Sequence, residues 1–143
     1  AVLGNGTPAQ IEALGKFVET AGIAFQIQDD ILNLVGEKFG EKKGVGEDIH
    51  EGKRTIMVLY TLKTANAQDK NRLLDILNKH TNEQREIEEA ISIIQKYNSI
   101  EYAKKRAKEL VDGAWKDVDK VLKPSEAKQS LKDFADFLVN RDI

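Results

Sequence analysis

Cysteine is absent from this chain of 143 residues, which excludes disulfides and thiolate metal sites and fits a reducing compartment. No apolar run approaches the ~18 residues of a membrane-spanning helix, and the first ten residues lack the basic start and apolar core of a signal peptide. Excess charge is lacking too, because 22 Lys and Arg stand against 24 Asp and Glu. We therefore expect a cytoplasmic protein that neither binds nucleic acid nor inserts stably into a membrane.

Proline occurs only twice, at Pro8 and Pro124, and both stand where a helix would begin. Period-two alternation of β-branched residues is lacking over any useful length, which excludes a sheet-based fold. These absences predict an all-α helical bundle. Thr7 and Gln10 have the spacing of a capping box with proline at the first helical position, which predicts a helix from about Pro8 to about Val35.

Apolar residues recur at helical spacing along the rest of the chain. They predict helices from about Arg54 past Leu62 and over about 69–79, and another that begins at a second capping box, Thr81 with Gln84. The buried positions expected on the later helices are Ile87, Ala90, Ile91, Ile94, Ile100, Ala103, Ala107, Leu110, Ala114, Val118, Val121, Leu131, Phe134, Ala135 and Leu138. Within the first helix, Gly15 and Gly22 predict the close approach of a neighbouring helix backbone.

Residues 36–52 hold five glycines among dense charges, so we expect a long loop without regular structure. Its lysines suit phosphate binding. It is not a P-loop, because five residues separate Gly46 from Gly52 and Arg54 follows Lys53 where Ser or Thr is required. The plain alternative is a solvated charged connector, since the acids of this segment balance its bases.

Four polar side chains fall within an arc of roughly 100° on the otherwise apolar first helix: Gln26, Asp29, Asp30 and Asn33. Burying two adjacent carboxylates is costly unless a cation or hydrogen-bond donors compensate them. Mg²⁺ prefers carboxylate oxygens and is commonly shared with substrate phosphates, so the stripe predicts a buried magnesium and phosphate site. The plain alternative is that Asp29 and Asp30 face solvent or pair with lysines.

The two patterns together resemble a known family. Phe25-Gln26-x-x-Asp29-Asp30-x-x-Asn33, followed by Gly46-x-Asp48-x-x-x-Gly52-Lys53-x-Thr55, is similar to the second aspartate-rich region of the trans-isoprenyl diphosphate synthases, the polyprenyl synthetase family. The resemblance covers residues 1–143, as the C-terminal part of a single domain. It implies the C-terminal half of the all-helical isoprenoid synthase fold.

The resemblance implies a prenyltransferase that condenses isopentenyl diphosphate head-to-tail with an allylic diphosphate to a short-chain, geranylgeranyl- or farnesyl-type product. Its cofactor would be Mg²⁺, with Mn²⁺ as the alternative ion, and the complete enzyme would be a homodimer. We expect this chain to be inactive alone, because a first aspartate-rich motif is missing. The alternatives are a noncatalytic modifying subunit of a heteromeric prenyl synthase and a helical interaction module with an accidental resemblance.

The resemblance also implies roles for seven residues. Asp29 would bind the metal directly, and the other metal residues, which act mainly through metal-bound water, would be Asp30, Asn33 and Asp48. The substrate-binding residues would be Gln26, Lys43 and Lys53, with Lys42 as the alternative to Lys43. As catalytic residues the resemblance favours Asp29, Asp30 and Lys43. Asn33 stands where the family usually has a third acid, which implies a weaker grip on metal-bound water.

Three other features have plain interpretations. His50 and His80 have no ligand partner at metal spacing, so we expect surface or loop histidines. Trp115 is expected to pack in the core. The basic run over residues 104–108 is flanked by acids and is expected to form a solvated helix face.

Overall fold

The computed structural model describes residues 1–36 and 45–140, and every regular element in these two ranges is helical. The all-α prediction is thereby confirmed. None of the helices in the described ranges combines the length and apolar content that a membrane crossing requires. The helices are α1 (Pro8–Val35), α2 (Glu47–His50), α3 (Ile56–Thr64), α4 (Ala67–Lys79), α5 (Gln84–Lys96), α6 (Ser99–Val121) and α7 (Glu126–Asn140).

The start of α1 matches its sequence signal. The Thr7 N–H donates to Gln10 Oε1 at 2.9 Å, and the Gln10 N–H donates to Thr7 Oγ1 at 3.3 Å. This reciprocal pair satisfies two donors that a helix start leaves without an intrahelical acceptor. The predicted capping box and the predicted bounds of α1 are both confirmed, and 28 residues give a helix ~42 Å long.

Two local predictions are wrong. The short helix α2 lies inside the segment that we expected to have no regular structure, and its N-cap is Gly46. Thr81 does not cap α5 through a box with Gln84. Its hydroxyl instead accepts the N–H of Glu83 at 3.0 Å, and Glu83 is the N-cap residue. The tight turn at Thr81 therefore delays the start of the helix beyond the position that the box spacing requires.

The chain divides into two compact units, which we describe separately. Among the described residues, the first contains Ala1–Gln28 and 105–140, and the second contains Asp29–Lys104. Both α1 and α6 contribute residues to each unit.

In the first unit, α1 and α6 run antiparallel. Gln10 Nε2 donates to the Val121 carbonyl at 3.1 Å, and Phe17 meets Trp115 edge-on with ring centroids 5.4 Å apart. Gln10 precedes Phe17 whereas Val121 follows Trp115, so the two helices have opposite directions. The expected packing role of Trp115 is confirmed, since an edge-to-face aromatic pair of this kind is a favourable core contact.

In the first unit, one residue predicted on a buried helix face is exposed, and two glycines lack their predicted contact. Phe134 on α7 is 57% exposed, although its neighbour Ala135 is fully buried. Gly15 and Gly22 are exposed, and a Cβ built at either would meet no atom within 4 Å beyond its chain neighbours and its own helix backbone, within the described ranges. The predicted approach of a helix backbone to these glycines is wrong, because they lie on an uncovered side of α1.

The second unit carries the candidate site. In it α4 and α5 pack on each other, and both also contact α2 and α3. Its core contains the predicted apolar face of α5 and side chains from every other helix of the unit: Ile31, Leu34, Ile49, Met57, Val58, Leu73, Ile76, Leu77, Ile87, Ala90, Ile91, Ile93, Ile94 and Ala103. Inside this core, the Thr61 hydroxyl donates to the Met57 carbonyl at 2.9 Å and lies 2.6 Å from the Ser99 hydroxyl, so both buried hydroxyls have partners.

Candidate functional site

Asn33, near the end of α1, holds the start of α2 with two hydrogen bonds. Its backbone carbonyl accepts the Gly46 N–H at 2.8 Å, and its side-chain Oδ1 accepts the Asp48 N–H at 3.1 Å. The first N–H groups of a helix have no intrahelical acceptor, so Asn33 supplies what this start lacks. The end of the polar stripe is thereby joined to the segment that carries Asp48 and Lys53.

Two glycines shape the residues Gly46–Lys53, which we call the α2 segment. Gly46 has φ 81° and Gly52 has φ 66°, in the left-handed region that L side chains rarely adopt. A Cβ at Gly46 would lie 2.2 Å from Ile87 Cγ2, and one at Gly52 would lie 2.6 Å from the Leu77 carbonyl oxygen. At these two positions the backbone itself requires glycine, because α4 and α5 approach it closely.

Within this segment a buried acid pairs with a half-exposed lysine. Asp48 is only 5% exposed, and its Oδ1 accepts a 2.5 Å hydrogen bond from Lys53 Nζ. The same Nζ lies 2.9 Å from Glu51 Oε2. The hydrogen bonds to Asp48 and then Glu51 raise the pKa of Lys53 well above its usual value. Lys53 therefore stays cationic, and about half of its side-chain surface remains exposed.

The polar stripe is less buried than predicted. Gln26 and Asp29 are exposed, whereas Asp30 and Asn33 are partly buried. The neighbouring Phe25 is also 42% exposed, so this side of α1 faces solvent around Gln26 and Asp29. Because Asp29 is exposed, its carboxylate stays hydrated, and its charge does not need a compensating cation. The prediction of a fully buried stripe is wrong for these two residues.

The structure brings some of the predicted site residues together directly. Asn33, Asp48 and Lys53 are linked by the hydrogen bonds above, and Asp29 and Asp30 lie about one helical turn before Asn33 on α1. Gln26 lies two turns before Asn33, in the first unit. Lys42 and Lys43 lie outside the described residues.

Sequence reasoning missed three contributors to this region. Glu51 pairs with Lys53, and His50 and His80 make hydrogen bonds between the α2 segment and the α4–α5 turn. His80 is exposed, as expected of a surface histidine, but His50 is half-buried. The spacing Glu51-x-Lys53 was the available signal for the first contact. Nothing in the local sequence indicates the histidine contacts, because they join residues about thirty positions apart.

The donor chemistry near Asn33 fits a magnesium ion shared with a diphosphate. One or two protein carboxylates suffice for such an ion when phosphate oxygens and waters complete its coordination. Asp29 offers an accessible carboxylate, whereas that of Asp48 already pairs with Lys53. Among the residues that the structure describes, no three His, Asp or Glu side chains converge on a ready-made cation site. The residues near Asn33 therefore fit a metal ion that arrives already bound to its phosphate ligand.

The structure defines the class of this protein: an all-α fold in which Asn33, one helical turn after two acids, holds a segment that contains glycines and a lysine. Such an arrangement is a candidate site for phosphate and a metal ion. The family model described as Polyprenyl synthetase matches residues 1–94. The chain belongs to the polyprenyl synthetase family.

Relatives with known names agree with this membership. The chain is 39% identical over 142 residues to the short chain isoprenyl diphosphate synthase of Methanothermobacter thermautotrophicus. The matched part covers 99% of this chain and 43% of that protein. A solved structure of geranylgeranyl pyrophosphate synthetase from Pyrococcus horikoshii superposes with a TM-score of 0.83 at 35% identity, over 95% of this chain and 41% of that one.

A third comparison concerns a protein solved with ligands. Geranylgeranyl pyrophosphate synthase from Corynebacterium glutamicum, complexed with isoprenyl diphosphate and magnesium, superposes with a TM-score of 0.81 at 26% identity, over 96% of this chain and 39% of that one. The fold is that of the all-α isoprenoid synthases. The chain spans less than half the length of these relatives.

Proposed function

We propose that this chain supplies the allylic-diphosphate side of a magnesium-dependent prenyltransferase, which condenses isopentenyl diphosphate with an allylic diphosphate to a short-chain prenyl diphosphate. The observation that carries the proposal is the pair of hydrogen bonds from Gly46 and Asp48 to Asn33. These bonds attach the segment that carries Lys53 to α1 about one helical turn after Asp29 and Asp30, which supports a shared site for the acids and the lysine.

Each residue has a role that its chemistry supports. Asp29, and Asp30 beside it, would bind the metal or its waters, and Asn33 and Asp48 would orient them. Lys53 would exchange one of its carboxylate partners for a phosphate oxygen, as a compact cation on a flexible stem can do. Lys43 keeps its predicted role in gripping the allylic diphosphate, and Gln26 its predicted place near the allylic end.

In the proposed reaction the allylic carbon–oxygen bond breaks and its electron pair leaves with the diphosphate. The double bond of isopentenyl diphosphate then supplies the electrons of the new carbon–carbon bond, and a proton is lost. Bound magnesium would supply positive charge where the leaving group gains negative charge. Lys53 would add a second cation at the same leaving group, because a lysine amine is protonated near neutral pH.

The proposal extends to the whole protein. We propose that the chain is the C-terminal part of one synthase domain, that it is inactive without the remaining part, and that the complete enzyme is a cytoplasmic homodimer. The length of the relatives supports the first two points, since each is more than twice as long as the part that matches.

The binding step can be tested on the chain itself. Isothermal titration with inorganic pyrophosphate should show binding that requires Mg²⁺, and Asp29→Asn should weaken it about tenfold or more, because a direct ligand loses its charge. Glu19→Gln is the matched control: it neutralises another exposed acid of α1, ~15 Å away along the helix, and should bind as the parent does.

Two results would contradict the assignment. Equal affinities of the Asp29→Asn variant and the parent would remove Asp29 from the metal site, and binding without Mg²⁺ would remove the metal from the binding step. A chain that binds no pyrophosphate under any condition would instead favour the noncatalytic-subunit hypothesis. In an enzyme completed to the length of its relatives, Asp29→Ala should lower the rate of prenyl transfer by roughly 10²–10³-fold.

A further inference from the structure

His50 and His80 connect the α2 segment with the turn between α4 and α5. His50 Nδ1 lies 3.1 Å from the Thr81 carbonyl oxygen, and His80 Nδ1 lies 3.2 Å from the His50 carbonyl oxygen. A carbonyl oxygen can only accept, so both Nδ1 atoms must carry a hydrogen and donate it. The two bonds therefore run in opposite directions between the same two stretches of chain, and we call them the histidine clasp.

Neighbouring contacts bring the same two stretches together. A Cβ at Gly52 would lie 2.8 Å from His80 Cε1, so the glycine lets the backbone pass directly against the imidazole ring. The Arg54 guanidinium donates to the Gly52 carbonyl at 2.5 Å and to Asn78 Oδ1 at 2.7 Å. The end of the α2 segment thus rests on the end of α4 through side chains from both sides.

The α2 segment depends on such outside contacts because α2 has only four residues. A helix of one turn has too few internal hydrogen bonds to form by itself. Asn33 holds its beginning, and the histidine clasp holds its end. Asp48 and Lys53 lie between or next to these two attachments, so their positions depend on both.

We propose that His50 and His80 are positioning residues, whose clasp fixes Asp48 and Lys53 for diphosphate binding. The ligand in this inference rests on the proposed function, but the clasp can be tested without any ligand. Loss of the clasp should open the α2 segment locally and leave the rest of the second unit folded, because a short segment can open without global unfolding.

Substitutions at His50 separate the Nδ1 bond from simple side-chain bulk. His50→Asn places an amide donor near the position of Nδ1, His50→Gln places it near Nε2 instead, and His50→Phe keeps the ring without a donor. Amide hydrogen exchange by NMR should be about tenfold faster at Asp48 and Lys53 in the Phe and Gln variants, and close to the parent rate in the Asn variant. The amides of Leu73 in α4 should be unchanged in all three.

A second pair of variants tests the other half of the clasp. His80 has φ 50°, so His80→Gly removes its side chain at a backbone conformation that glycine adopts without strain, and His80→Asn retains a donor. We expect the same order of exchange rates, with the Gly variant fast and the Asn variant slow. Glu47→Gln changes an exposed side chain of α2 and should leave the rates unchanged.

The affinity for pyrophosphate with Mg²⁺ should follow the exchange rates: about tenfold weaker in His50→Phe, His50→Gln and His80→Gly, and restored in the two Asn variants. Exchange rates that are equal in all variants, or that fail to recover with Asn, would overturn the clasp. If the parent chain binds no pyrophosphate, the proposed function fails, and the exchange rates still decide whether the clasp positions Asp48 and Lys53.

Discussion

The α4–α5 pair and the α2 segment are in contact, but they are held in different ways. The α4–α5 pair buries fully enclosed aliphatic side chains, among them Leu73, Ile76 and Ile94, at 0% exposure. The α2 segment buries Asp48 and Ile49, and it is attached to its surroundings by individual hydrogen bonds that involve Asn33, His50 and His80. Apolar burial is non-directional and strong in sum, whereas each polar contact can be lost alone. The difference suits a rigid frame that carries a segment whose contacts can be lost one at a time.

Charged residues show the same contrast. On α4, Arg72 bonds to Asp75, Glu86 and Glu89, and Lys79 also reaches Glu86 at 2.8 Å. Most of these side chains are at least one third exposed, and losing one partner leaves others in place. In the α2 segment Asp48 is buried and bonds to Lys53, which has a second carboxylate partner in Glu51. A phosphate that competed for Lys53 would therefore disturb the α2 segment, where fewer alternative ion pairs replace a lost one.

Removing a core side chain from the frame should have the largest effect. Ile94→Ala empties a fully buried site on α5 and should lower the free energy of unfolding by about 3 kcal/mol, measured by urea denaturation. Ser92→Ala, on the exposed side of the same helix, should change it by less than about 0.5 kcal/mol. A loss for Ile94→Ala as small as that control would show that the pair is not the rigid frame.

A backbone substitution where the α2 segment meets the frame should rank second. Gly52→Ala forces a Cβ to within 2.6 Å of the Leu77 carbonyl oxygen at φ 66°, and we expect a loss of about 2 kcal/mol. Gly113→Ala in α6 is the control, because an added Cβ there has no described neighbour within 4 Å outside its own helix turn, and it should gain about 0.5–1 kcal/mol. Comparable losses in both variants would mean that the contact at Gly52 is not specific.

The pH dependence of stability should reveal the charged network of the frame. Hydrogen bonds from Lys79, then Thr81 and Arg72, lower the pKa of Glu86 to about 2. Because this pKa is below its value in the unfolded chain, near 4.5, Glu86 stabilises the fold above pH 4.5 and loses that contribution as the pH falls towards 2. The urea midpoint of the parent should fall over this window, and that of Glu86→Gln should fall less.

The control for this titration is Glu88→Gln, which removes an exposed carboxylate of α5 that pairs with Gln84 and, in the part of the chain that the structure describes, with no cation. Its urea midpoint should follow the parent between pH 5 and pH 2, within the error of the measurement. A parallel fall in the Glu86→Gln variant would show that its neighbours, and not Glu86, carry the acid sensitivity.

The smallest effect should come from Arg72→Lys. A lysine cannot form the two parallel bonds that Arg72 makes to Glu89, at 2.9 and 2.6 Å, but it keeps the charge. We expect a loss of about 0.5 kcal/mol in urea denaturation, because partly exposed ion pairs contribute little. Arg106→Lys on α6, which has a single hydrogen bond to Glu109, should be neutral. A loss of several kcal/mol for Arg72→Lys would mean that ion pairs, and not apolar burial, hold the frame.

Much of the fold could be predicted because its signals are local. The capping box of Thr7 and Gln10 and the apolar spacing on α5 act within one or two turns of the helix that they define. The predictions that were wrong also came from local signals. Thr81 has the spacing of a helix cap, but its hydroxyl bonds to the Glu83 N–H, and Phe134 has the spacing of a core residue but is exposed. The charged face over residues 104–108 behaves as expected, with ion pairs such as Arg106 to Glu109 at 2.6 Å.

The candidate site divides in the same way. Residue type and spacing singled out Asp29, Asp30, Asn33, Asp48 and Lys53, and the family match agrees with the resemblance that they carry. Their exposure could not be predicted, because it depends on which elements cover that side of α1. The two hydrogen bonds of Asn33 to the α2 segment also lie beyond sequence reasoning, since either an exposed or a capping asparagine satisfies the same pattern.

By itself the sequence determined an all-α chain, the bounds of its first helix, and the acids and lysines that suit a metal-bound diphosphate. Helix periodicity and capping depend on neighbours three or four residues apart, so these features can be read from short windows. Only the tertiary structure decided that Asn33 would hold α2, that Lys53 would pair with a buried Asp48, and that His50 and His80 would clasp each other's segments. Those contacts join residues up to about thirty positions apart, or depend on a backbone turn, and packing of the α4–α5 frame brings them within hydrogen-bond distance.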